Sequence, residues 1–196
     1  KALLFLGAGC IIHAVHSNEM SAMGGLRKYM PVTHITFLIA CLAISGIWPF
    51  SGFFSKDEIL TACFRFSPVM GWIMTGIAAM TAFYMFRLYY GIFWGTENKT
   101  LHAAHTPHEA PLTMTFPLLF LAAVTCVAGF IPFGNLISSN GEAYTIHLDM
   151  QVATTSIIIA LLSIGLATWM YAGPKQPVAD KLAHTFSRLH TAAYHR

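Results

Sequence analysis

Apolar residues run through the chain in five long blocks, and most of the charge lies outside them. Between Lys28 and Lys56 lie 27 positions without an Asp, Glu, Lys or Arg. Another 21 separate Arg65 from Arg87, 32 separate Glu109 from Glu142, and 25 separate Asp149 from Lys175. A bilayer core is crossed by about 20 mainly apolar helical residues, so each gap is long enough to span it. The pattern predicts segments over about 1–15, 32–66, 69–94, 112–131 and 152–171. The first is too short for a full crossing. The second is too long, because a continuous helix over it would measure roughly 50 Å against a hydrocarbon core of about 30 Å. Gly46, Pro49, Ser51 and Gly52 cluster in its middle, where proline removes a backbone donor and glycine relaxes the chain. Two half-helices joined by an unwound stretch around 48–54 are therefore expected, with Pro49 and Gly52 as the residues of the break.

Composition sharpens the class. Of 196 residues, 56% are hydrophobic and 10% charged, whereas soluble domains carry about 25% charged residues. That excludes a water-soluble enzyme, a disordered chain and a nucleic-acid-binding domain. The expectation is an all-α polytopic transmembrane helix bundle, with one membrane module over 1–172 and a surface tail over 173–196. Cys10, Cys41, Cys63 and Cys126 fall one per apolar segment without a CxxC spacing and read as small buried apolar residues. Arg27, Lys28, Lys99, Lys175, Lys181, Arg188 and Arg196 lie on one side if the second segment crosses once, and Arg65 stands alone opposite. The basic side is then cytoplasmic. The chain opens with Lys1 inside an apolar run, as expected for a piece of a longer polypeptide.

Chemistry concentrates at Lys56 and Asp57, just after the expected break. A lysine at the centre of a membrane helix costs about 2.5–3.5 kcal/mol and faces protein or water. Irregular backbone at that depth is tolerated only where protein or water satisfies it. Break and charge together describe an ion site of the kind built into secondary transporters. A second reading treats Ser55-Lys56-Asp57-Glu58 as an interfacial helix start, with Ser55 as N-cap and the carboxylates in the first turn. Lys1 is another intramembrane cation. His13 and His16, one turn apart, suit a proton relay or, more simply, a pair of interfacial histidines. His34 reads as an interfacial histidine, and Arg87 as a structural residue near the tyrosine cluster. His102, His105 and His108 beside Glu109 lack an established zinc spacing and any cysteine, so no metal site is expected.

Longer runs are specific. Lys1-Ala2-Leu3-Leu4-Phe5-Leu6-Gly7-Ala8-Gly9, Ile12-His13-Ala14, and Met23-Gly24-Gly25-Leu26-Arg27-Lys28-Tyr29-Met30-Pro31 precede Gly46-Ile47-Trp48-Pro49-Phe50-Ser51-Gly52-Phe53-Phe54-Ser55-Lys56-Asp57-Glu58-Ile59-Leu60. Together they closely resemble the antiporter-like subunit of respiratory complex I called chain L in bacteria and chain 5 in mitochondria. The likeness is strong from Lys1 to about Phe130. It implies the second repeat of an antiporter-like fold with one broken helix, in a proton-translocating NADH-quinone oxidoreductase. Lys56 matches the lysine that the family places at its break, and Lys1 matches the lysine of the preceding helix on the central polar axis. Proton relay through Lys1 and Lys56, with Asp57 tuning Lys56, is what the resemblance implies, and His13 and His16 join that relay as candidates from their spacing alone.

The same resemblance implies no cofactor in this chain, with flavin, iron–sulfur clusters and quinone in other subunits. It also implies other membrane-arm subunits, lipid and protons as partners, no nucleic acid, and a bacterial plasma membrane or mitochondrial inner membrane. Trp48 stands where the family commonly has a second proline. The helices before Lys1 and the lateral helix after the tail are absent from this sequence, so the chain alone is not expected to pump. Competing readings are a subunit of a multi-subunit cation/proton antiporter or membrane-bound hydrogenase, and a non-conducting structural spacer.

Overall fold

The computed structural model describes residues 1–97, 106–131 and 149–173. His102, His105, the connection over 133–148 and the tail from 174 onward lie outside these residues. The described chain is helical, with α1 over Ala2–Val15, α2 over Pro31–Ser45, α3 over Ser51–Phe66, α4 over Pro68–Phe93, α5 over Leu112–Val127 and α6 over Met150–Tyr171. Short 3₁₀ turns at Met20–Ala22, Leu26–Lys28 and Ala128–Phe130 join them. Helices over Pro68–Phe93, Leu112–Phe130 and Met150–Tyr171 are each long and apolar enough to cross a membrane. The protein is an integral membrane helix bundle.

Outward faces stay apolar. Met80 is 71% exposed and Trp169 69%, so large apolar side chains stand on the outside of these helices. Inward faces are built from small residues. Ala153, Ala160 and Ala167, seven apart, form the buried seam of α6 that meets α4. Such residues let membrane helices approach closely without a water-driven force between them. Tyr90 Oη and Thr168 Oγ1 lie 2.9 Å apart across the same contact. On α1 the buried residues are Leu3, Gly7, Cys10, Ile11 and Ala14, a single helical stripe. Gly7 on it leaves room for the Phe37 ring, which a Cβ would meet at 3.0 Å.

The long second segment is interrupted at Gly46–Phe50, and helix resumes at Ser51, earlier than the 48–54 stretch that proline and glycine suggest. Gly46 ends α2 in the left-handed region at φ 80°. Its N–H bonds to the Ala43 carbonyl at 3.1 Å, and the Ile47 N–H to the Leu42 carbonyl at 3.2 Å. This pair of bonds is the Schellman pattern, which consumes carbonyls that a helix end would otherwise leave bare. The Phe50 N–H then closes a tight turn onto the Ile47 carbonyl at 3.1 Å, across the cis Trp48–Pro49 bond.

Helix α3 sets off beside the last turn of α2. A Cβ at Gly52 would fall 1.8 Å from the Ala43 carbonyl oxygen, and one at Gly46 would fall 2.8 Å from Lys56 Cδ. Ala43 thus sits beside Gly52 and Gly46 beside Lys56, so both halves run in the same direction past one another. The two half-helices measure about 22 Å and about 24 Å and overlap at the break. The Phe54 ring seats the start of α3 on Gly129 and Phe130.

Gly52→Ala should therefore drive α3 off α2 at the overlap. The expected loss is at or above the upper end of the roughly 1–3 kcal/mol range for overpacking, seen as a lowered unfolding temperature of the full-length protein in detergent. An unchanged temperature would contradict the packing of Gly52 on Ala43.

Candidate functional site

Five buried side-chain atoms have no hydrogen-bond partner among the described residues: Ser45 Oγ, Lys56 Nζ, both carboxylate oxygens of Asp57, and Thr61 Oγ1. All belong to the last residue of α2 or to α3. Buried polar atoms are ordinarily satisfied, and each exception calls for an explanation. Ser45 and Lys56 meet at the overlap of the two half-helices, while Asp57 and Thr61 lie further along α3.

Lys56 lies in the second turn of α3, and its side chain reaches back across Gly46. It lines a small cavity together with Ser45, Gly46, Thr75, Ser156 and Ala160, about 10 Å³ of it open to the centre of a water-sized sphere. The αL glycine is needed twice here, once for its backbone conformation and once because a side chain would occupy the lysine's path. Since α3 starts at Ser51, Ser55 lies within the helix, and its hydroxyl donates to the Gly52 carbonyl at 3.4 Å. Asp57 and Glu58 lie beyond the first turn. The interfacial-cap reading of this run is overturned by the earlier start of the helix.

Asp57 is fully buried, but it makes no hydrogen bond with Lys56 and does not line its cavity. Successive helical residues point about 100° apart, so Lys56 and Asp57 leave α3 in different directions. Asp57 shares its face of α3 with Thr61, one turn on. The expectation that Asp57 directly tunes Lys56 finds no contact to act through.

Lys1, at the head of α1, lines a larger cavity of about 180 Å³ with Ala43, Ser51, Gly52 and Thr125. The two lysines thus flank the same overlap. Lys1 approaches it on the side of Ser51 and Gly52, Lys56 on the side of Ser45 and Gly46, and the close Ala43–Gly52 contact lies between. Pro49 forms the turn, and Gly52 permits the contact.

His13 and His16 are elsewhere. Their ring centroids are 6.0 Å apart and both are exposed, at the far end of α1, about 18 Å from Lys1 along the axis. The structure does not bring them to the overlap. His34 sits on α2 with Nε2 2.6 Å from Tyr89 Oη, its ring stacked on Tyr89 and edge-on to Phe93. Tyr89 also accepts the Trp94 indole N–H at 3.4 Å, and the Arg27 guanidinium lies 3.8 Å above the Trp94 ring. Arg87 stacks over Tyr171 at 5.5 Å rather than meeting an acid. Among the described residues no group of three His, Cys, Asp or Glu side chains could hold a metal ion.

Glu109 is the residue that the sequence pattern does not single out. Its carboxylate accepts the Val32 N–H at 2.8 Å, the Thr33 N–H at 3.4 Å and the Thr33 hydroxyl at 2.6 Å. It therefore caps the N-terminus of α2 from 77 positions away, where a negative charge is favoured by the exposed N–H groups and the helix dipole. The only sequence signal was an acid just before α5 and a helix start at Pro31 without a capping side chain of its own. Nearby, the Tyr29 hydroxyl donates to the Glu97 carboxylate at 2.7 Å, which raises the phenol above its ordinary range because the carboxylate favours the protonated form.

The structure is a membrane helix bundle with a broken helix and a lysine on either side of the break, and residues 1–82 match the family described as the NADH:quinone oxidoreductase/Mrp antiporter transmembrane domain. The relatives narrow this. The chain is 42% identical to NAD(P)H-quinone oxidoreductase chain 5 of Picosynechococcus sp., over 87% of this chain and 32% of that protein. It is 44% identical to the chloroplastic subunit 5 of Chaetosphaeridium globosum, over 88% of this chain and 30% of that one. The match to subunit 5 of Chlorokybus atmophyticus covers 100% of this chain and 33% of the relative at 33% identity. Most of the chain is thus similar to the antiporter-like subunit 5 of these oxidoreductases, and its first 82 residues to the antiporter transmembrane family. It spans about a third of the length of the curated relatives it matches.

Removing the Glu109 carboxylate tests the clamp it forms. Glu109→Ala leaves the α2 N–H groups unpaired and should cost about 1.5–3 kcal/mol, the range for hydrogen bonds to a charged group. Glu109→Gln should retain part of this. Thermal unfolding of the full-length protein checks both, and equal stability of wild type and the alanine variant would refute the cap.

Proposed function

We propose that this chain is the second-repeat part of a proton-translocating membrane-arm subunit of an NADH-quinone oxidoreductase, with Lys56 as the proton-exchanging group at its break. One observation carries the reading: the Lys56 ammonium nitrogen is buried at the interruption of a membrane helix with no hydrogen-bond partner among the described residues. A charged lysine kept at that depth costs several kcal/mol unless water or a counter-charge serves it, and a fold that needed only packing would place methionine or leucine there. A lysine beside a small polar cavity can hold a proton or release it as the surrounding charge changes.

Lys1 is the partner on the other side of the overlap. In this reading quinone reduction in other subunits shifts charge along the membrane arm. Lys1 passes that change towards Lys56, and Lys56 exchanges its proton with the opposite compartment. The chemistry asked of the protein is electrostatic: two cations that cannot both stay charged cheaply in a low-dielectric layer. Flavin, iron–sulfur clusters and quinone belong to other subunits, and the exposed apolar faces meet lipid and neighbouring membrane-arm subunits. His13 and His16, about 18 Å from Lys1 along α1, act at the surface of the module rather than in the Lys1–Lys56 step.

The test is proton uptake by vesicles carrying the whole complex, with quinone reduction followed in parallel. Lys56→Met keeps the volume and removes the charge. The expected result is loss of the protons moved per electron attributable to this subunit. Full pumping at full electron flux would reduce the module to a structural spacer.

A further inference from the structure

The cavity at Lys56 takes one polar residue from each of four helices: Ser45 of α2, Lys56 of α3, Thr75 of α4 and Ser156 of α6. The rest of its wall is glycine, alanine, leucine and isoleucine. Two of the four are already committed. The Thr75 hydroxyl donates to the Gly71 carbonyl at 2.8 Å and the Ser156 hydroxyl to the Ala153 carbonyl at 2.9 Å, the usual back-bond of a helical hydroxyl. Their protons are spent, and each oxygen keeps accepting capacity. The other two are unmet. Ser45 is 2% exposed, and neither its Oγ nor Lys56 Nζ has a partner among the described residues.

Size and chemistry then agree. A cavity with about 10 Å³ open to a water-sized sphere is at the threshold for one water molecule, and a buried water needs two to four polar partners. One water can accept from the Lys56 ammonium and donate to the Ser45 hydroxyl oxygen, which satisfies both orphaned atoms at once. We propose that Ser45 and Lys56 bind a single ordered water in the α2–α3–α4–α6 cavity, with Ser45 as the positioning residue that fixes it against the ammonium group. Gly46 and Ala160 keep the space open by having little or no side chain. The water site stands on geometry alone; its consequence for pumping rests on the reading of Lys56 given above.

High-resolution cryo-electron microscopy of the full complex, wild type against Ser45→Ala, reads the site directly. The expected result is density within hydrogen-bonding distance of both Lys56 Nζ and Ser45 Oγ in the wild type, and none there in S45A with the four helices unmoved. In vesicles, S45A should lower the proton transfer rate about 2- to 10-fold, the Boltzmann factor of one net hydrogen bond. Ser45→Thr, which restores the oxygen, should recover both the density and the rate. A dry cavity in the wild type, a water undisturbed by S45A, or a rate that S45T fails to recover would overturn the proposal. Intact pumping in Lys56→Met would instead overturn the functional reading and leave the density to decide the site.

Discussion

A polypeptide that stops being helical inside an apolar layer must satisfy its own backbone, because lipid offers no hydrogen bonds. The overlap of α2 and α3 meets that demand with very little chain. The Gly46 and Ile47 N–H groups turn back onto Ala43 and Leu42, and the Phe50 N–H closes onto Ile47. Gly52 then lets α3 lie against the Ala43 carbonyl. Every neighbouring feature depends on this arrangement. Lys56 reaches the cavity because Gly46 has no side chain. Lys1 lies beside the same overlap because α1 packs on α2, and α4 and α6 close the far wall through alanines and back-bonded hydroxyls.

A second constraint acts at the basic side, where connecting segments are tied to helix ends. Glu109 holds the start of α2, Tyr29 meets Glu97, and Gly24 lies so close to the Thr96 carbonyl that a Cβ there would approach within 2.3 Å. Arg27 covers Trp94, which in turn donates to Tyr89 beneath it. These contacts fix where α2 begins. Since α2 is a rigid rod of 15 residues, they also fix where it ends, and so the position of the break. The clamp and the site are opposite ends of one helix.

The contrast between Lys56 and Asp57 shows how far neighbouring residues can diverge. Adjacent in sequence, they read as one site. On a helix they serve different faces, Lys56 towards α4 and α6 through its cavity and Asp57 towards Thr61 on its own face. The pairing was legible only as composition, and the helix period separates it.

The sequence by itself determined the class and the placement of the apolar segments. A bilayer's thickness sets segment length, and charge is too costly to scatter through it, so the gaps between charges mark the crossings. The need for a break in the second segment followed from the same length argument, and Lys56 stood out because charge in such a run is rare. The tertiary structure decided where helix resumed, at Ser51, because packing of Gly52 on Ala43 outweighs the weak helix preference of the Phe50-Ser51-Gly52 run. It decided that Lys1 and Lys56 flank one overlap while His13 and His16 lie apart from it, and that Glu109 caps a helix 77 positions away. These are contacts between distant parts of the chain. Local patterns of apolar and polar residues record which face of a helix is buried, but they carry no information about which partner it is buried against.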